Sequence, residues 1–155
     1  MSKRSSKICL ISPTENLASR AKTLIARRKM DVRVEVAALE GAVSLAQSLL
    51  EHDDYLFISR RATREMLIKC LGAQVVNIPL EASDYIPVIQ RLQNERGLIA
   101  SFSYEEEISN DLGTICYLLN LNVQNYYFTD SSNCQAAVQQ AVADGAVCGF
   151  GGVVA

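Results

Sequence analysis

Short apolar runs alternate with stretches in which apolar residues recur every three to four positions, and the alternation continues along the whole chain. Ile8-Cys9-Leu10-Ile11 is a continuous apolar run closed by Ser12-Pro13, the pattern of a strand buried on both faces. Leu17, Ala21, Leu24 and Ile25 mark one face of a following helix, with Arg20, Lys22, Arg27, Arg28 and Lys29 around the rest of it. Val32, Val34 and Val36 alternate with charged residues as a strand nearer an edge, and Val43, Ala46, Leu49 and Leu50 mark the next helix. Tyr55-Leu56-Phe57-Ile58 is a further buried strand. It runs through Ser59-Arg60-Arg61-Ala62-Thr63 into a helix with Met66, Leu67, Cys70 and Leu71 inward and Gly72 as its C-cap. Val75 to Pro79 reads as a fourth strand, and Tyr85, Ile89 and Leu92 as the inner face of a fourth helix.

The second half repeats the grammar. Leu98 to Phe102 is a strand, and Ile108, Leu112, Ile115 and Leu119 line one face of the helix after it. Val123 to Phe128 is a strand. Ser132-x-x-Gln135 is a capping box opening a helix with Val138, Ala141 and Val142 inward and Gly145 at its end, and Ala146 to Phe150 is a last strand. Such alternation predicts an α/β fold with parallel sheets and crossover helices. Two Rossmann-like lobes are expected, residues 1–95 and a smaller second lobe over 96–155. A terminal strand followed by Gly-Gly-Val-Val-Ala should continue into another helix, so the second lobe is expected to be incomplete and the chain a fragment of a longer protein.

Charge sharpens the two-lobe picture. The chain has 155 residues and a net charge of −2, which speaks against a dedicated nucleic-acid binder. Residues 1–75 hold 13 Lys/Arg against 8 Asp/Glu, whereas residues 76–155 hold 2 against 9. Halves of opposite sign suggest lobes with different faces. No apolar run approaches the length of a membrane span, and the basic N-terminus leads into too short an apolar stretch for a signal peptide, so a cytoplasmic location is expected. The five cysteines, Cys9, Cys70, Cys116, Cys134 and Cys148, are widely spaced without a C-x-x-C pair, and read as small buried thiols rather than a disulfide framework or a metal site. His52, the single histidine, lies beside Asp53 and Asp54 at a helix end and reads as a solvated residue.

Candidate chemistry follows from topology. In parallel α/β sheets ligands bind at the carboxyl ends of the strands, beside helix N-termini. That rule selects Ser12-Pro13, Ser59 to Thr63, the loop 81–84, Ser101 to Ser103 around Phe102, Thr129 to Ser132 and Gly149 to Gly152. Phosphate-loop, nucleophile-elbow and H-E-x-x-H signatures are absent, and Gly149-Phe-Gly-Gly152 has no helix or acidic partner behind it, so no cofactor and no metal is expected. The loop from Ser59 to Thr63 brings two guanidinium groups and two hydroxyls to a helix N-terminus, an arrangement suited to a carboxylate or phosphate. Solvated arginines with Thr63 as a plain N-cap would produce the same sequence.

Lys7-Ile-Cys-Leu-Ile-Ser-Pro13, Leu56-Phe-Ile-Ser-Arg60 with Thr63, Val75-Val-Asn-Ile-Pro79 with Asp84, and the stretch from Ala136 to Gly152 together resemble the N-terminal sensory domain of the propionate catabolism activator family. The resemblance spans residues 7 to 155. It implies the sensor of a cytoplasmic, sigma-54-dependent transcription regulator. In the full-length protein a AAA+ ATPase and a helix-turn-helix DNA reader would follow, so the sensor itself touches neither nucleic acid nor membrane. It further implies a fold like the lobe pair of periplasmic binding proteins, a small anionic metabolite such as 2-methylcitrate in the cleft between lobes, a hinge near Asn94–Leu98, and self-association as a homodimer. Carried over, the ligand-binding residues are Ser12, Pro13, Ser59, Arg60, Arg61, Thr63, Asp84 and Phe102. The family's S-R-G-G-T run has Arg61 and Ala62 where the pattern has glycines, and Glu81-Ala82 stand where it has Ser-Gly. Two other readings stay open: a ligand-free dimerisation module, and an α/β enzyme acting on a small carboxylic acid, for which no activated base is evident.

Overall fold

The computed structural model describes residues 6–80, 82–104 and 115–151. Seven strands and five helices are defined among them, and they form two compact units, Met1–Pro79 and Leu80–Ala155. The helix over 82–92 is therefore grouped with the second unit, where the sequence reading assigned it to the first.

The first unit contains β1 (Lys7–Ser12), α1 (Glu15–Arg28), β2 (Arg33–Val36), α2 (Leu39–Leu50), β3 (Tyr55–Ser59), α3 (Arg61–Leu71) and β4 (Val75–Asn77). Its sheet has the order β2-β1-β3-β4 with every pair parallel, Leu10 lying between Val34 and Ile58. β1 is internal, which is why Cys9, Leu10 and Ile11 can form an unbroken apolar run at 5% exposure or less. Cys9, Ile11 and Phe57 from the sheet meet Ala42, Ala46, Leu49 and Leu67 from α2 and α3 in one core, with α1 lying on the opposite face. The small residues of α2 let it approach the sheet closely.

Caps set where the helices begin and end. Thr14 is the N-cap of α1, its hydroxyl accepting from the Leu17 N–H at 3.4 Å, and Lys29 closes that helix in the left-handed region. Gly72, with φ 59°, ends α3 as the sequence leads one to expect. Cys70 departs from expectation, being exposed, and Leu24 is 52% exposed. Each sits at the rim of its helix's apolar stripe, where the sheet no longer covers it.

The second unit contains α4 (Ala82–Leu92), β5 (Leu98–Tyr104), β6 (Val123–Phe128), α5 (Ser131–Ala143) and β7 (Ala146–Gly151), with a helical turn over residues 115–118. Its sheet is also parallel, in the order β6-β5-β7. Tyr85 and Leu92 of α4 are buried as the periodicity predicts. The N-cap of α5 is Asp130, which accepts from the Asn133 N–H at 2.8 Å, so the expected box starting at Ser132 is displaced by two residues. A carboxylate outcompetes a hydroxyl at that position because it meets the helix dipole with a full charge; hydrogen bonds from Ser132 and Asn133 hold its pKa below the ordinary value. Val142, expected inside, is 68% exposed. The helix expected around Ile108 and Leu112 lies outside the described residues.

Candidate functional site

The described chain buries four polar residues, and three of them, Ser12, Ser59 and Thr63, gather at the carboxyl end of the first unit's sheet or on the helix that leaves it. Ser12 ends β1. Its hydroxyl donates to the Thr14 carbonyl at 2.7 Å and accepts from the Thr14 N–H at 3.3 Å, which tightens the turn through half-buried Pro13. Ser59 ends β3, and its hydroxyl donates to the Ile11 carbonyl at 2.8 Å. Main-chain bonds from Ala37 to the Ser12 carbonyl (3.0 Å) and from Ile78 to the Ser59 carbonyl (2.9 Å) draw the neighbouring loops onto the same edge. Both serines thus hold the rim rigid.

Onto this rim α3 opens without a side-chain cap. Arg60 is its extended N-cap residue, with φ −143° and ψ 157°, and no side chain satisfies the first N–H groups. Arg61 follows with φ 49°, a left-handed conformation that costs a residue with a Cβ about 1–2 kcal/mol. Ala62 and Thr63 are buried beneath the turn. Thr63 is therefore no N-cap. It stands at the third helical position, and its Oγ1 is buried with no hydrogen-bond partner. An orphaned buried hydroxyl costs about 1–3 kcal/mol, and this one stands on an otherwise apolar helix face.

Arg64 is the residue that reading the sequence missed. Its Nε is the other buried and unpartnered polar atom among the described residues, while its Nη1 donates to Glu65. Arg60, Arg61 and Arg64 stand at the cap and in the first turn of α3, the positive end of its dipole and a setting whose N–H and guanidinium donors suit an anion.

The other two expected ligand residues belong to the second unit. Asp84 lies exposed in the first turn of α4. Phe102 is 4% exposed and opposite Tyr126 in the sheet register, their rings 5.7 Å apart. Its ring and backbone also explain two late glycines, since a Cβ on Gly149 would lie 2.8 Å from Phe102 Cε2 and one on Gly151 2.7 Å from the Phe102 carbonyl oxygen. Phe102 is engaged in the core of its own sheet.

Cysteine and histidine chemistry has little to work with. Burial pushes the Cys9 thiol up to about 11, away from the range of a reactive thiolate. The ring of His52 is held by the Ser48 carbonyl at 3.0 Å near the end of α2. Among the described residues no three His, Cys, Asp or Glu side chains gather to hold a metal ion, and no helix is long and apolar enough to cross a membrane.

Beside this geometry stands a family match: the model described as propionate catabolism activator (PrpR_N) fits residues 26–155, most of the chain. The chain belongs to that family. The matched model is that of the N-terminal domain of propionate catabolism activators. Among solved structures the chain is similar to an NtrC family transcriptional regulator from Clostridium acetobutylicum, with a TM-score of 0.77 and 21% identity over 95% of this chain and 78% of that one. At that identity the likeness speaks for the fold. No curated protein matches the chain. Arg61, at φ 49°, holds the conformation a glycine adopts freely.

Proposed function

We propose that this domain is the ligand sensor of a cytoplasmic, sigma-54-dependent regulator and binds a small anionic metabolite, a 2-methylcitrate-like carboxylate, at the N-terminus of α3. The observation that carries the proposal is the buried, unpartnered Oγ1 of Thr63 beneath an uncapped helix end with three arginines. Arg60 and Arg61 supply charge-assisted donors, α3 supplies N–H groups, and Thr63 supplies a hydroxyl to one ligand oxygen. Ser12 and Ser59 hold the rim in place. In this reading the ligand leaves unchanged and the domain acts as a receptor, as fits its regulator family. Binding shifts the domain between states only by its differential affinity for them, and that bias passes to the AAA+ ATPase and helix-turn-helix domains of the full regulator.

Thermal unfolding against 2-methylcitrate, citrate, phosphate and amino acids tests the proposal. A ligand at about 100 times its Kd adds about 2.7 kcal/mol, several degrees for a chain of this size. A shift with a carboxylate supports the reading, and none with any of the panel contradicts it.

A further inference from the structure

Every lysine and arginine among the described residues is exposed except Arg60, Arg61 and Arg64 at the start of α3, which are half-buried. A guanidinium drawn out of water needs other acceptors for its N–H groups. Arg64 has one in Glu65, which receives a hydrogen bond from Nη1. That pairing uses a single edge of the guanidinium. Nε belongs to the other edge, the one it shares with Nη2, and Nε is buried with no hydrogen-bond partner. Two parallel donors on one edge match the two oxygens of a carboxylate. Thr63, the preceding residue and 1% exposed, holds the other unmet polar atom, its Oγ1.

Resting on the reading of this helix start as an anion site, we infer that Arg64 grips one carboxylate of the ligand through Nε and Nη2, and that Glu65 is a positioning residue that holds the guanidinium through Nη1. A lysine in place of Arg64 would supply the charge without the fork. By charge alone Glu65 opposes an anion beside it. Its service is to fix a long, rotamer-rich side chain before the ligand arrives, so that less ordering is left to be done on binding. The unmet Nε then receives an acceptor, and the half-buried guanidinium is satisfied on both edges.

The test is calorimetric titration of the 155-residue chain and its variants with citrate and with 2-methylcitrate, each variant's fold being checked by its unfolding without ligand. Arg64→Lys keeps the charge, loses the fork and is expected to bind at least ~tenfold more weakly. Glu65→Ala is expected to bind about three- to tenfold more weakly although it removes a negative charge. Glu65→Gln, whose amide oxygen still accepts from Nη1, binds at least as tightly as the wild type. In the Arg64→Lys background Glu65→Ala brings no further weakening, because Glu65 acts through Arg64. Wild-type affinity in Arg64→Lys alongside weakened binding in Thr63→Val overturns the inference and leaves the anion site standing. Tighter binding in Glu65→Ala overturns the positioning role, since charge alone would give that result. A wild type that binds neither acid overturns the inference together with the reading it rests on.

Discussion

The hydroxyl of Ser59 donates a 2.8 Å hydrogen bond to the carbonyl of Ile11, tying the carboxyl end of β3 to that of β1 across 48 residues of sequence. Both groups are fully buried, so water cannot replace the bond. Ser59→Ala is expected to destabilise the domain by about 1–3 kcal/mol, read as a lower denaturant midpoint at unchanged slope.

Thr63 behaves in the opposite sense. Its Oγ1 is buried and unpaired, so Thr63→Val keeps the shape and removes a desolvated polar atom. The free domain gains about 1–2 kcal/mol in thermal or chemical unfolding while anion binding weakens. A loss of stability would show that the hydroxyl is already satisfied.

Arg61 separates backbone from side chain. At φ 49° a glycine is relaxed and an alanine is not, so Arg61→Gly should unfold about 1 kcal/mol later than Arg61→Ala. Both variants lose the guanidinium and bind the anion more weakly than the wild type.

Gly149 and Gly151 both abut Phe102 and are expected to respond differently to repair. Alanine at 149 meets the far edge of the ring, and alanine at 151 meets the backbone oxygen. Phe102→Leu should therefore rescue part of the stability lost in Gly149→Ala and none of that lost in Gly151→Ala, as a double-mutant cycle would measure.

Cys9 gives a pH dependence with a definite sign. Burial raises its pKa from 9.0 to about 11, so the folded state holds the thiol proton more tightly than the unfolded state. Its contribution is fully present below pH 9 and is lost as pH rises through 11. Unfolding curves should show stability falling across that window, less steeply in Cys9→Ala.

Most of the first unit was legible in the sequence because its elements have a single periodicity each. β1 and β3 are short and wholly apolar, Gly72 marks its helix end, and the strand-end rule led to Ser12 and Ser59. What stayed hidden depended on partners far away in sequence. Nothing local distinguishes Thr63 as a cap from Thr63 as a buried orphan, since its burial comes from α3 packing on the sheet. Arg64 was passed over because helix-start arguments stop at the first turn. Phe102 looked like a strand-end ligand residue, but its role is set by Tyr126 and by two glycines some fifty residues on. Asp130 caps the helix in place of Ser132 because its carboxylate meets the helix dipole with a full charge.

The most direct test of the central claim is calorimetric titration of the wild type and of Thr63→Val with the carboxylate that gives the largest thermal shift. The account predicts one ligand per chain for the wild type and affinity reduced at least ~tenfold in the variant, the loss of one buried hydrogen bond to a charged group. Equal affinity in the two proteins, or no heat with any acid, would contradict it.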